Sequence, residues 1–299
     1  MKKRQKVVAI VGPTASGKSA FAIEIAKKYS GEVISADSRQ VYKGLNIGAG
    51  KVTKKEMRGV RHHLLDIVSP KKVFTAHDYA IAGQKAIADI GKRGKLPIIC
   101  GGTGFYIDAL VGRIKLSHVP VNKELRAQLE KKLAAELFAQ LKRLDSKRAK
   151  SIDRNNKRRL IRAIEIGTST KLHPPRLNFA EYEVLWIGLA PERDDLRERI
   201  NARLKERLRR GMVAEAKRLK AAGLSYKRMH DLGLEYRSLA RYLKGEVSRA
   251  ELETELRFAI WHYAKRQMTY WCRNKDIRWL DPKETKTIVK IVSAWLKHV

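Results

Sequence analysis

The octet Gly12-Pro13-Thr14-Ala15-Ser16-Gly17-Lys18-Ser19 sets the strongest limit on what this chain can fold into. It fits the pattern G-x-x-x-x-G-K-[S/T], and its flanks fit as well. The apolar run Val7–Val11 precedes it and reads as a buried strand; from Lys18 to Tyr29 the residues Phe21, Ile25 and Tyr29 recur on one helical face. Strand, glycine loop and helix in that order make a phosphate-binding loop. Its glycines let backbone N–H groups turn inward onto phosphate oxygens, and the following helix adds its positive end. Lys18 is placed to neutralise a terminal phosphate, and Ser19 to put a hydroxyl on Mg²⁺. The pattern specifies a polyphosphate with Mg²⁺ and leaves open which polyphosphate and which reaction.

Further apolar runs predict strands at Glu32–Asp37, Leu64–Val68 and Leu96–Gly101, with an amphipathic helix from about Thr75 to Gly91 between the last two. Thr75 followed by Asp78 supplies its start signal. Strands alternating with helices predict an α/β fold: a parallel, P-loop NTPase-like sheet with helices on its faces. The pattern then changes. Residues 113–183 carry helical segments, Asn122–Leu144 and Asn156–Ile166, dense in Lys and Arg, and a loop at Lys171–Asn178 with Pro174-Pro175. Val184–Leu189 reads as a strand again, followed by long helices at Asp194–Ala222, Arg249–Cys272 and from about Lys283. The simplest organisation is a discontinuous core, 1–112 with 184–299, interrupted by a helical insertion domain at 113–183.

Charge narrows the partner. Among 299 residues, Lys and Arg number 65 against 31 Asp and Glu, a formal net charge of +34. Such an excess points to a polyanion, and nucleic acid is the first candidate. A 43% hydrophobic share argues against global disorder. The two cysteines, Cys100 and Cys272, lie far apart and outside any CxxC, which disfavours a disulfide framework or a cysteine zinc site. The apolar stretch at the N-terminus is too short for a signal-peptide core, and no segment approaches the ~20 apolar residues of a membrane span. A cytoplasmic protein with no membrane contact, acting as a monomer, is the expectation.

The motifs carry a more specific resemblance. The loop Gly12–Ser19 resembles that of the tRNA dimethylallyltransferases, and the similarity continues through Ile34-Ser35-Ala36-Asp37-Ser38-Arg39-Gln40-Val41-Tyr42, His62-His63-Leu64-Leu65-Asp66, Gly101-Gly102-Thr103-Gly104-Phe105-Tyr106, Arg158-Arg159-Leu160-Ile161-Arg162 and Ala264-Lys265-Arg266-Gln267. It spans nearly the whole chain. Two stretches depart from the family pattern: Ala49-Gly50-Lys51-Val52, and Gly233-Leu234-Glu235-Tyr236-Arg237. The resemblance implies transfer of a dimethylallyl group from dimethylallyl diphosphate to the exocyclic N6 amine of the adenosine immediately 3′ of the anticodon in tRNA.

It also implies roles for individual residues. Gly12, Pro13, Thr14, Ala15, Ser16, Gly17, Lys18 and Ser19 would grip the diphosphate, with Ser19 on Mg²⁺. Asp37, which ends the second predicted strand at the carboxyl edge where α/β proteins keep their ligands, would be the base; a turn-capping role is the plain alternative. Arg199 and Arg203 lie one helical turn apart, and the resemblance selects Arg203 to stabilise the leaving diphosphate against a solvated basic face. Thr103 follows a Gly-Gly turn; its hydroxyl is open to the diphosphate, the metal, the nucleotide or helix capping. Asp37, Ser38, Arg39, Gln40 and Thr103 would surround a flipped adenine. Arg126 and the run Arg158, Arg159, Leu160, Ile161, Arg162 would touch the anticodon stem-loop. His62 and His63 are adjacent and would face opposite ways on a strand, poor geometry for one metal.

Three other readings share parts of this pattern. A P-loop small-molecule kinase shares the loop and the sheet but not the basic insertion or the Asp37 motif. An adenylate isopentenyltransferase shares the chemistry but needs no tRNA clamp. A non-catalytic RNA-binding protein leaves the complete phosphate loop unexplained.

Overall fold

The structure is a computed structural model and describes residues 4–114, 116, 117, 119–169 and 182–297. In chain order its elements are β1 (Gln5–Val11), α1 (Lys18–Lys28), β2 (Gly31–Ser35), α2 (Lys54–Met57), β3 (His62–His63), α3 (Ala76–Lys92), β4 (Leu96–Cys100), α4 (Gly104–Leu110), α5 (Lys123–Leu129), α6 (Ala134–Leu144), α7 (Ser146–Ser151), α8 (Lys157–Thr168), β5 (Tyr182–Leu189), α9 (Arg193–Arg209), α10 (Met212–Ala221), α11 (Tyr226–Leu232), α12 (Leu234–Leu243), α13 (Arg249–Trp271), β6 (Arg278–Leu280) and α14 (Thr285–Lys297). Two compact units result, residues 1–114 with 179–299, and residues 115–178.

In the larger unit the strands form one parallel sheet in the order β3-β2-β4-β1-β5-β6. Successive β1 side chains alternate between its faces. Val7, Ala9 and Val11 pack with Tyr79, Ile87 and Ile90 of α3, Ile107 of α4 and Trp271 of α13. Val8 and Ile10 pack with Phe21 and Ile25 of α1 and Ile288 and Val292 of α14. With both faces covered, the central strands read as unbroken apolar runs. A further cluster joins α9 to α13 with Val41, Tyr42 and Leu45, the segment that follows β2. Helix α3 begins with the expected cap: Thr75 Oγ1 accepts from Asp78 N–H, and the Asp78 carboxylate accepts from Thr75 N–H at 2.8 Å.

Three expectations need correction. Leu64–Val68 is not a strand. Leu64 and Asp66 take left-handed backbone conformations, and the strand is the preceding pair His62–His63, aligned with Val33 and Ile34 of β2. The segment 122–144 is two helices, α5 and α6, and 194–222 is likewise divided at Gly211 into α9 and α10. Helices α11 and α12 occupy the stretch before Arg249. The segment Lys171–Asn178 lies outside the described residues.

The smaller unit holds α5 to α8 around its own core: Leu129, Leu137, Leu141, Ala149, Leu160, Ile161, Ala163 and Ile164. Leu160 and Ile161 were expected to touch tRNA with their neighbours. Their side chains instead form the apolar stripe by which α8 closes this core, because i, i+1 and i+4 positions share a helix face. Arg158 and Arg159 are exposed on the same helix and make no ion pair with any described residue. Arg126 and Arg162 instead converge on the buried Glu165: Arg126 donates to it through Nε and a terminal nitrogen at 2.9 and 2.7 Å, Arg162 donates to the same carboxylate, and Asn122 N–H adds a third partner at 2.7 Å. Burial pushes the Glu165 carboxyl up, and these donors outweigh it, holding the group below the ordinary glutamate range.

Candidate active site

Because the sheet is parallel, the loops that follow β1, β2 and β4 leave it at one edge, and these strands are neighbours with β4 in the middle. The three loops line one cavity. Thr14, Ala15, Lys18 and Ser19 come from the loop after β1, Asp37 and Gln40 from the turn after β2, and Gly101 and Gly102 from the turn after β4. Arg203 of α9 and Tyr263 and Gln267 of α13 also line it, with Val33, Ser35, Ala49, Val52, His62 and Cys100.

The phosphate loop has the geometry its glycines predict. Gly12 has φ 139°, and a Cβ there would sit 2.3 Å from the Leu189 carbonyl oxygen, so only glycine fits. The Lys18 ammonium is folded back onto the loop, donating to the Pro13 carbonyl and, at 3.4 Å, to Ser16 Oγ. Burial lowers the Lys18 pKa to about 8; the Arg203 charge adds to this, and Asp37 opposes it. An anion entering the loop reverses that balance, since a negative charge beside a buried ammonium favours its protonated form.

Asp37 both caps its turn and faces the cavity. One oxygen, Oδ1, accepts from Arg39 N–H at 2.8 Å and Gln40 N–H at 3.3 Å. The other, Oδ2, makes no hydrogen bond to a described residue, which leaves it open to a substrate proton. Thr103 stands at the N-cap position of α4, yet its hydroxyl does not cap that helix. It accepts from Ser38 N–H at 3.0 Å, so it ties the β4 turn to the Asp37 turn. Burial, then the Asp37 charge, raises the Tyr263 phenol far above the ordinary tyrosine range and keeps it neutral. Burial likewise pushes the Cys100 thiol up to about 11. At neutral pH it stays a thiol, a poor competitor for an electrophile in the cavity.

Arg203 donates to the Gly50 carbonyl at 2.8 Å, while Arg199 is outside the cavity wall. The two stretches that depart from the family pattern meet through this part of the structure. The buried Glu215 accepts from the N–H groups of Asn46, Ile47 and Gly48 at 2.8 to 3.0 Å and from the Tyr236 hydroxyl at 2.9 Å. Arg207 donates to the Ile47 and Gly48 carbonyls and to Glu235. The loop carrying Ala49 and Val52 is thereby fixed by residues of α9, α10 and α12. His62 and His63 do face apart: His62 lines the cavity with Nδ1 on the Val60 carbonyl, and His63 bonds Glu32 at 2.7 Å.

Tyr263, Gln267 and the Glu215–Arg207 latch were not singled out as site residues from sequence. For Tyr263 and Gln267 the one signal is the run Ala264–Gln267, which marks α13 without telling which of its faces meets the cavity; Glu215 and Arg207 have none. Among the described residues, no cluster of three or more His, Cys, Asp and Glu could hold a metal. Of the loop's hydroxyl residues, Thr14 and Ser19 line the cavity. Ser19 could hold a Mg²⁺ ion that arrives with a polyphosphate, since this ion keeps several of its waters and needs few ligands from the protein. No helix of the described residues is long and apolar enough to cross a membrane.

The chain is similar to known proteins over most of its length. The family model described as IPP transferase matches residues 40–275. The tRNA dimethylallyltransferase of Thermomicrobium roseum is 40% identical over 288 residues, covering 94% of this chain and 88% of that protein. The tRNA dimethylallyltransferase 2 of Treponema denticola is 43% identical over 272 residues, covering 89% and 91%. Among solved structures, the tRNA isopentenylpyrophosphate transferase of Bacillus halodurans aligns with TM-score 0.74 and 35% identity over 97% of this chain and 96% of that one. A eukaryotic dimethylallyltransferase acting on tRNA aligns with TM-score 0.84 at 24% identity, covering 98% and 79%, a likeness of fold. The chain belongs to the IPP transferase family, that of the tRNA dimethylallyltransferases.

Proposed function

We propose that this chain is a tRNA dimethylallyltransferase that moves a dimethylallyl group from dimethylallyl diphosphate to the N6 amine of the adenosine 3′ of the anticodon. The observation that carries the reading is the meeting of a phosphate loop and the open Oδ2 of Asp37 in one cavity, in a chain whose relatives bear that activity in their names. The N6–C1 bond forms as the C1–oxygen bond to the diphosphate breaks. Asp37 takes the proton that the amine must lose, a general-base role suited to a nucleophile whose lone pair is delocalised into the ring. Lys18, the amides of the 12–19 loop and Arg203 stabilise charge growing on the leaving diphosphate. Ser19 would hold Mg²⁺, which would supply further positive charge beside the leaving diphosphate. Ser38, Arg39, Gln40 and Thr103 hold the flipped adenine. The insertion grips the anticodon stem-loop through Arg158 and Arg159, and the protein works in the cytoplasm as a monomer.

Incubation with unmodified tRNA, dimethylallyl diphosphate and Mg²⁺, without ATP, is expected to yield N6-dimethylallyladenosine and diphosphate, read by nucleoside mass analysis. Strict ATP dependence with a phosphorylated product would replace this reading by a kinase. Efficient prenylation of free AMP in preference to tRNA would replace it by an adenylate isopentenyltransferase.

Lys18 gives the reaction a pH signature. Its ammonium is charged below about 8 and neutral above, so kcat/KM for the donor is expected to fall as pH rises through about 8. In the donor complex the bound anion raises the pKa, so kcat at saturating donor holds to higher pH. The guanidinium of Lys18→Arg stays charged throughout, and a profile of that variant retaining the same alkaline limb would assign the limb to another group.

A further inference from the structure

The donor loop and the turn bearing the base follow different strands, and the sheet ties both strands to β4 through Gly101 N–H to the Ile10 carbonyl at 3.2 Å and Ala36 N–H to the Cys100 carbonyl at 2.8 Å, up to the points where the loops leave it. Beyond those points two side chains, Gln267 and Thr103, join them in series. Gln267 lies on α13, one helical turn after Tyr263, and is buried against the cavity. Its Oε1 accepts from the Thr14 N–H of the phosphate loop at 2.8 Å. Its Nε2 donates to the Gly102 carbonyl in the turn after β4 at 3.0 Å. Because one partner can only donate and the other only accept, the amide has a single orientation.

The fit at Gly102 is tight. A Cβ on that residue would lie 1.9 Å from Gln267 Nε2, so the amide reaches the turn only because glycine is there. The chain of bonds continues from Gly102 to its neighbour Thr103, whose hydroxyl accepts from Ser38 N–H, and Ser38 directly follows Asp37. A continuous path thus runs from the diphosphate loop to the carboxylate's own turn. The Thr14 N–H is committed to Gln267, which assigns phosphate binding to the other amides of the loop.

We propose that Gln267 is a positioning residue for prenyl transfer: it sets the donor loop against the Asp37 turn while touching neither reacting atom. The proposal rests on the prenyl-transfer reading above. In-line substitution needs the amine and the allylic carbon about 3–3.5 Å apart, and a displacement of about 1 Å costs up to 10²-fold in rate. A residue that fixes this separation acts on turnover and leaves each substrate's own contacts in place.

The test uses Gln267→Leu, which removes both bonds at similar size, and Gln267→Glu, which keeps the acceptor for Thr14 N–H and loses the donor to Gly102. Each is assayed for kcat, for donor and tRNA dissociation constants, for melting temperature and for hydrogen exchange of the peptide carrying Thr14. The expected result is a loss in kcat of about 10- to 100-fold in Gln267→Leu, without matching loss of affinity for either substrate, and faster exchange at Thr14. Gln267→Glu, which keeps the loop bond, should show a loss in kcat with exchange at Thr14 near that of the parent. A Gln267→Leu variant that folds, melts lower and keeps the parent kcat would reduce Gln267 to a core residue and overturn the proposal. If Gln267→Leu does not fold, Gln267→Glu decides it, since parental kcat there is incompatible with the joined loops setting the reaction distance. Absence of prenyl transfer in the parent protein, with faster exchange at Thr14 in Gln267→Leu, would reject the functional reading and not the bond between the loops.

Discussion

Asp37→Asn is expected to lower turnover by about 10²-fold or more, the usual reach of a general base, while the turn after β2 stays folded. The geometry makes Asn the informative substitution. Oδ1 of Asp37 holds Arg39 N–H and Gln40 N–H, a task an amide oxygen performs equally well, whereas the open Oδ2 becomes an amide nitrogen with no basicity. Asp37→Ala removes both functions. It should show the same loss in kcat plus a disordering of Ser38–Gln40, and with it weaker tRNA binding. Donor affinity should change little in either variant, because the loop at 12–19 holds the diphosphate without help from this carboxylate. Steady-state kinetics with tRNA and donor varied separately make the comparison. Near-parental kcat in Asp37→Asn would leave Asp37 as a turn cap and send the search for a base elsewhere in the cavity.

The parts of this site that were legible in the sequence are those encoded by adjacent residues. The phosphate loop is local: its glycines, lysine and serine take their positions from spacing alone, between a strand and a helix. Asp37 was readable because it ends an apolar run, and the Thr75–Asp78 cap because both partners lie within one turn. Failures came where tertiary contacts decide. Leu64–Val68 has the composition of a strand, but the chain reverses at Leu64 and Asp66, and Ile67 and Val68 instead give their N–H groups to the Val41 carbonyl. Periodicity alone does not separate such a run from a strand.

Tyr263 and Gln267 lie more than two hundred residues from the phosphate loop they adjoin, and spacing could say that they share a helix face but not what the face meets. Thr103 shows a third kind of limit. Position made it an N-cap, and its hydroxyl went instead to Ser38 N–H, because a donor from a neighbouring strand's turn lay within reach.

The insertion offers the second large effect, and the structure changes which arginines should carry it. By charge and motif, Arg126, Arg158, Arg159 and Arg162 look equivalent. In the folded unit Arg126 and Arg162 are the counterions of the buried Glu165, whereas Arg158 and Arg159 face solvent. Replacing Arg126 and Arg162 together strands a buried carboxylate, a loss of about 3–5 kcal/mol by analogy with other broken buried pairs. Weak tRNA binding in that variant would report an unfolded insertion. The sharper expectation concerns Arg158→Ala with Arg159→Ala: unchanged melting temperature, unchanged donor affinity, and a tRNA dissociation constant raised by about 10-fold or more, the size of two lost charge-assisted contacts. If each arginine neutralises one phosphate, the slope of log affinity against log salt should flatten by about 1.4–1.8, depending on the local form of the RNA. Titrations at several salt concentrations measure both quantities at once. Parental affinity and slope in this pair would move the tRNA contact off α8, and the net charge of the chain would then need another face to explain it.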